Sequence, residues 1–186
     1  MEKQAGCIFC RKDFPCQYQL ISDAPDYWLF VLNVDPQTDL DSMIVLNAEK
    51  AGHCRDMTDD DLPQDALSEL GKLLNRACKS IKTVDLEIDT VLITSLNMGE
   101  NSHHLHFHLI PKRKNEKVRA VANPEEDGGG MFFMARKEIV VDTYKDLIRT
   151  TTDCEADHLI SEIKEAQRKQ IIRNVEKLKV NFQWEE

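Results

Sequence analysis

Four of the six histidines in this chain fall between His103 and His108, and three of them, His104, His106 and His108, alternate with Leu105, Phe107 and Leu109. On a strand, a period of two sends the three imidazoles to one face and the apolar residues to the other. Imidazoles make a poor core, because each brings ring nitrogens that need partners when buried. The row therefore points to chemistry, and three kinds suit it. Imidazoles can ligate a catalytic metal that keeps an open position for water. A neutral imidazole can attack phosphorus and become a covalent phosphoramidate. The row can also bind an anion without reacting. The preceding loop, Asn97-Met98-Gly99-Glu100-Asn101-Ser102, brings backbone N–H groups beside the histidines, a suitable nest for phosphate oxygens.

The six cysteines, at positions 7, 10, 16, 54, 78 and 154, are too scattered to read as a disulfide framework. The segment Met1 to Gly6 lacks the apolar core of a secretion signal. A reducing, cytoplasmic compartment is expected, with thiols or metal ligands instead of disulfides. Only Cys7-Ile8-Phe9-Cys10 has a ligand spacing.

Elements that would carry these residues can be read on both sides of a single helix. Tyr18 to Ser22 and Asp26 to Val34 form an expected hairpin, and Ser42 to Leu46 a further strand. A helix is expected from an N-cap at Asp61, with Gln64 three residues on and Leu67, Leu70, Leu74, Ala77 and Ile81 as its buried stripe. Thr90 to Leu96 and His104 to Pro111 complete the strands. This pattern predicts an α+β fold, a mostly antiparallel sheet packed on a central helix. From Val118 the character changes. A loop with Gly128-Gly129-Gly130 leads past the ambiguous stretch Met131 to Val141 to a long helix from Glu155 to about Val180, with Leu159, Ile163, Ile171, Val175 and Leu178 as apolar positions. Two units are expected, 1–117 and a carboxy-terminal extension, 118–186.

The chain of 186 residues carries 33 acidic against 24 basic side chains, a net charge of −9, which disfavours a nucleic-acid polymer as partner. No apolar run is long enough to span a bilayer, so no membrane segment is expected. The locally basic face of the last helix reads as solvated surface.

The row His104-x-His106-x-His108 followed by Pro111 resembles the signature of the histidine-triad superfamily of nucleotide hydrolases and transferases. Asn97-x-Gly99, the strand and proline turn from Phe30 to Gln37, the helix from Asp61 to Val84 and the pair Cys7 and Cys10 extend the likeness over about residues 5 to 117. The resemblance implies a sheet packed on a central helix and a homodimer. It implies that His106 attacks the α-phosphate of a small nucleotide, forming a nucleotidyl-histidine that water then releases as the monophosphate. His108 would contact the phosphoryl oxygens, with Asn97, Gly99 and Ser102 as further phosphate or leaving-group contacts and Asn33 as the ribose contact. By the same resemblance Cys7, Cys10, His53 and His104 would hold a structural zinc ion, with Cys54 a possible substitute for its neighbour. Relatives often carry an acidic residue where this chain has Asn33, and a longer loop before the triad. Diadenosine polyphosphates and nucleoside phosphoramidates are the expected kinds of substrate. A metallohydrolase using the triad as metal ligands, and an inactive nucleotide-binding module, are the competing readings.

Overall fold

The computed structural model describes residues 6–11, 14, 20–23, 26–33, 40–95, 103–114, 120–122, 131–133, 165 and 169–182. Seven strands occur among them: β1 (Leu20–Ser22), β2 (Trp28–Leu32), β3 (Ser42–Leu46), β4 (Ile88–Thr94), β5 (His106–Arg113), β6 (Ala120–Ala122) and β7 (Met131–Phe133). The first five build one antiparallel sheet in the order β1-β2-β3-β5-β4, and β6 pairs with β7 separately. Helix α1 (Gln64–Val84) connects β3 to β4, and a second helix, α2, covers residues 169–181. The α+β arrangement expected from the pattern is the one observed.

Strands β2 and β3 read Trp-Leu-Phe-Val-Leu and Ser-Met-Ile-Val-Leu and are buried along their whole length. Continuous burial means that both faces of the sheet are covered. On one face Trp28, Phe30, Leu32, Ile44, Leu46, Leu105 and Leu109 pack with α1. The Trp28 indole donates to the Ala66 carbonyl at 2.8 Å, joining the sheet to the first turn of that helix. On the other face Leu29, Val31, Met43 and Val45 pack with Cys7, Phe9 and Cys10. The histidine face therefore has a small core of its own.

Three differences from the sequence reading have local causes. Helix α1 begins at Gln64 with Pro63 as N-cap, and Asp61 makes no cap bond. Proline disfavours helical backbone in the residue before it, so Leu62 cannot join the helix. The α1 stripe runs through Ala66, Leu70, Leu73, Ala77 and Ile81, leaving Leu67 and Leu74 half-buried. Both stripes obey helical spacing, and contact with the sheet selects the one that includes the two small alanines. Finally, β5 starts at His106, so His104 lies in the bend before it.

Helix α2 packs into the same core as α1 through Ile171, Val175 and Leu178, joined by Phe182 just past its end. Phe182 meets Phe30 with ring centroids 5.2 Å apart, and the Ser80 hydroxyl donates to the Leu178 carbonyl. The expected helix positions Leu159 and Ile163, and the triple glycine, lie outside the described residues.

Candidate metal centre and histidine row

Register brings the histidines beside the core of their own face. His106 pairs with Val45 and His108 with Met43 across β3 and β5. His104 and His106 are buried, and His108 is half-buried. The alternation read from the sequence persists into the bend, because the Leu105 carbonyl accepts from Leu46 N–H at 3.0 Å and its own N–H donates to the Cys54 carbonyl at 2.8 Å.

Four side chains far apart in sequence converge at the start of this row. The ligand atoms of Cys7, Cys10, His53 and His104 all lie within 4.8 Å of one another. Cys10 Sγ is 3.4 Å from His53 Nδ1 and 3.6 Å from His104 Nδ1, and the two Nδ1 atoms are 3.2 Å apart. Two chain features deliver them. Cys7 and Cys10 flank a single 3-10 turn, closed by Cys10 N–H donating to the Cys7 carbonyl. Gly6 and Gly52, each directly before a ligand, have φ of 90° and 76°, a region side-chain-bearing residues rarely occupy.

The fit of a cation follows from the proton on His104. Its Nε2 lies 2.7 Å from the Leu46 carbonyl, which can only accept, so Nε2 carries the hydrogen. Burial first of all, then the neighbouring His53 and His106, pushes the His104 pKa down to about 4, so the ring is neutral. Its Nδ1 lone pair therefore points at the sulfur and at the second imidazole. Two thiols and two imidazoles whose ligand atoms converge in this way form a donor set that fits a cation between them. His53 also has its pKa lowered, chiefly by burial, and its Nε2 is buried with no hydrogen-bond partner among the described residues. Cys54 is elsewhere. It is fully buried in the helix-side core, its Sγ lies 3.9 Å from the Ala51 carbonyl, and burial pushes its thiol up to about 11.

His106 shows the reverse arrangement. Its Nδ1 is 2.6 Å from the His104 carbonyl, so Nδ1 carries the hydrogen and Nε2 keeps a lone pair with no hydrogen bond among the described residues. Burial lowers its pKa, which favours the neutral nucleophilic form. His108 stands edge-on to it, with centroids 5.0 Å apart, and burial followed by the nearby His106 lowers its pKa to about 4.

Three solved structures to which the chain is similar are histidine-triad proteins. A hypothetical histidine triad nucleotide-binding protein from Sulfolobus tokodaii strain 7 shares 16% identity over 87% of this chain and 85% of that one, with a TM-score of 0.45. A zinc-bound histidine triad family protein from Mycobacterium smegmatis shares 18% over 59% and 76%, with a TM-score of 0.43. A Hit-like protein involved in cell-cycle regulation from Bartonella henselae shares 14% over 84% and 81%, with a TM-score of 0.44. No protein-family model matches the sequence, and no curated protein does.

Of the remaining expected contacts, Asn33 directly follows β2, and continuing the alternation of Leu29 and Val31 places it on the histidine face. Its backbone N–H donates to the Asp41 carbonyl and its amide to Asp41 Oδ2 at 3.4 Å. Asn97, Gly99 and Ser102 lie outside the described residues. The sequence reading passed over Phe9, whose ring sits 4.8 Å from His106 and 5.8 Å from His104, centroid to centroid. Its only signal was its place between the two cysteines.

Proposed function

We propose that this chain is a zinc-stabilised nucleotidyl hydrolase or transferase of the histidine-triad type, acting through a covalent intermediate on His106. The observation that carries the reading is the 2.6 Å hydrogen bond from His106 Nδ1 to the His104 carbonyl. It leaves Nε2 as the nitrogen with an available lone pair, on a ring held neutral by burial. In the proposed reaction Nε2 attacks the α-phosphorus of a nucleoside phosphoryl compound. The Nε2–P bond forms as the bond from phosphorus to the leaving oxygen or nitrogen breaks, and the leaving group takes up a proton. Water then attacks the same phosphorus, the Nε2–P bond breaks, and the nucleoside monophosphate departs. His108 would contact the phosphoryl oxygens; an anion there favours its protonated form, against the burial that keeps the ring neutral in the free protein. Asn97, Gly99 and Ser102 would contribute donors for the phosphates, and Asn33 would meet the ribose. Diadenosine polyphosphates or nucleoside phosphoramidates are the proposed substrates.

Zinc is the proposed ion for Cys7, Cys10, His53 and His104. Zinc ligand distances of about 2.0–2.1 Å to nitrogen and 2.3 Å to sulfur imply tetrahedral edges of about 3.3–3.4 Å between nitrogens and about 3.6 Å from nitrogen to sulfur. The observed separations of 3.2, 3.4 and 3.6 Å agree with these edges. The ion would tie the amino-terminal turn to the triad segment, outside the reaction. Four protein donors close the coordination shell, and His106 and His108 are not among them, which favours this reading over a metallohydrolase.

Cys7, Cys10, Cys54 and Cys78 are thiols rather than disulfides, which supports a reducing, cytoplasmic setting. Among the described residues, no helix is long and apolar enough to cross a membrane. A homodimer is proposed from the half-buried stripe Leu67, Leu74 and Cys78 on α1, beside Gly71, where an added Cβ would meet nothing within 4 Å. Sedimentation at micromolar concentration tests it, and a monomer would refute it. The test of the chemistry is intact mass after mixing with a panel of diadenosine polyphosphates and nucleoside phosphoramidates. The expected result is a nucleotidyl adduct that accumulates in His108→Ala and is absent in His106→Ala. No adduct and no released monophosphate across the panel would end the hydrolase reading.

A further inference from the structure

Phe9 lies between Cys7 and Cys10 of the metal-capable cluster, directly before Cys10, and its ring is packed on the histidine proposed to react. It is 6% exposed, and it shares its core with Leu29, Val31, Met43 and Val45. Val45 is the direct cross-strand partner of His106. Phe14 closes the far side, edge-on to Phe9 with centroids 5.0 Å apart. Phe9 thus packs against His106, His104, Phe14 and the sheet residues of its core. Its backbone belongs to the 3-10 turn Ile8–Cys10, so a shift of Cys7 or Cys10 must carry the ring with it.

The Nδ1–H bond to the His104 carbonyl sets the tautomer of His106 and lasts only while the ring keeps its rotation about Cβ–Cγ. Phe9 at 4.8 Å, tilted by 42°, and His108 at 5.0 Å, inclined by 67°, both pack on that ring and oppose its rotation. From this geometry we infer that Phe9 is a positioning residue: it holds the His106 ring plane so that Nε2 faces phosphorus, and it relays the state of the Cys7–Cys10 turn to the nucleophile. This rests on the nucleotidyl-transfer reading above. Phe9 does not touch the reacting atoms in this account. Its effect lies on the rate of attack and not on nucleotide affinity, since a small misalignment of a reacting atom can cost about a hundredfold in rate.

The test compares Phe9→Leu, which removes the flat face, with Phe9→Tyr, which keeps it, both as metal-loaded full-length protein. Three quantities are measured: metal stoichiometry, dissociation constant for nucleoside monophosphate, and single-turnover rate of adduct formation. Expected for Phe9→Leu are wild-type metal content, an affinity within about threefold, and an adduct rate reduced about ten- to hundredfold. Phe9→Tyr is expected to recover most of that rate. Equal rates in all three proteins overturn the inference, as does a loss of affinity that matches the loss of rate. Loss of metal from both variants also overturns it, because Phe9 would then merely build the metal turn. Nitrogen NMR of the His106 imidazole in the substrate-free proteins makes the result independent of the reaction. One sharp tautomer in wild type and Phe9→Tyr against an exchanging or mixed signal in Phe9→Leu supports the positioning role. The same sharp tautomer in Phe9→Leu refutes it. If wild type itself forms no adduct, the nucleotidyl reading fails and the imidazole spectra alone decide the role of Phe9.

Discussion

His104 and His106 are neighbours in one row, yet the structure holds them in opposite ways. Each has one ring nitrogen engaged by a backbone carbonyl, and the engaged nitrogen differs. The Leu46 carbonyl takes His104 at Nε2 and turns Nδ1 toward Cys10 and His53. The His104 carbonyl takes His106 at Nδ1 and leaves Nε2 available. One region thereby becomes a closed set of four donors, and the other an imidazole with an available nitrogen beside a second imidazole. The lesson is that an imidazole's role follows from its carbonyl partner and not from its place in a motif.

The largest expected effect separates the two regions outright. His106→Ala should lower adduct formation and turnover by at least about a thousandfold, while metal content and melting temperature stay near wild type. A variant that also lost the metal would show the regions to be one unit. Next in size, Cys10→Ser should abolish stoichiometric metal binding and cost several kcal/mol of stability, on the order of the folding energy that structural sites supply. Metal analysis and denaturant unfolding read both quantities, and an unchanged unfolding midpoint would mean that the cluster does not anchor the amino-terminal turn.

An acid titration sharpens the contrast further. In protein stripped of metal, His104 and His108 have folded pKa values of about 4, against 6.5 for the unfolded chain. Their depressed values mean that the unfolded chain binds more protons between those limits. Stability is then complete above about pH 6.5 and is lost as the pH falls toward 4. Urea unfolding at pH 7.5, 6 and 5 should show a progressive fall, and a flat profile would contradict the burial assigned to these rings. Smallest is Gly52→Ala, expected to cost about 1–2 kcal/mol through its positive φ. It should also weaken metal binding through His53 while leaving the His106 imidazole signals in place.

Much of the frame was legible along the chain. The bounds of β3, Ser42–Leu46, coincide with the apolar run, because a buried central strand has an unbroken pattern and turn residues at its edge. The split of His104, His106 and His108 from Leu105, Phe107 and Leu109 was equally plain, since it needs only the two-residue repeat. The α1 stripe was harder. Two overlapping sets of residues satisfied the helical period, and only packing against the sheet chose Ala66 and Leu73 over Leu67 and Leu74. The end of the chain was read as an extension whose apolar stripe must be buried, and Phe182 and Leu178 reach the core beside Phe30 and Ser80. An apolar stripe states that it will be buried without saying against what.

The choice between His53 and Cys54 marks the same boundary. Adjacent residues on an irregular segment carry no periodicity to assign their directions, and the positive φ at Gly52 turns the imidazole to the cluster while the thiol enters the opposite core. Phe9 was invisible for a related reason, since its histidine partners lie almost a hundred residues away, a contact no local pattern encodes.

What the sequence alone determined is which side chains share a face and which types could take up a metal or attack phosphorus, because those follow from short-range geometry and intrinsic chemistry. Only the tertiary structure decided the proton on each ring. That depends on a carbonyl 58 residues from His104 in one case and on the backbone of His104 itself in the other, brought to within 2.7 and 2.6 Å by the packing of the sheet.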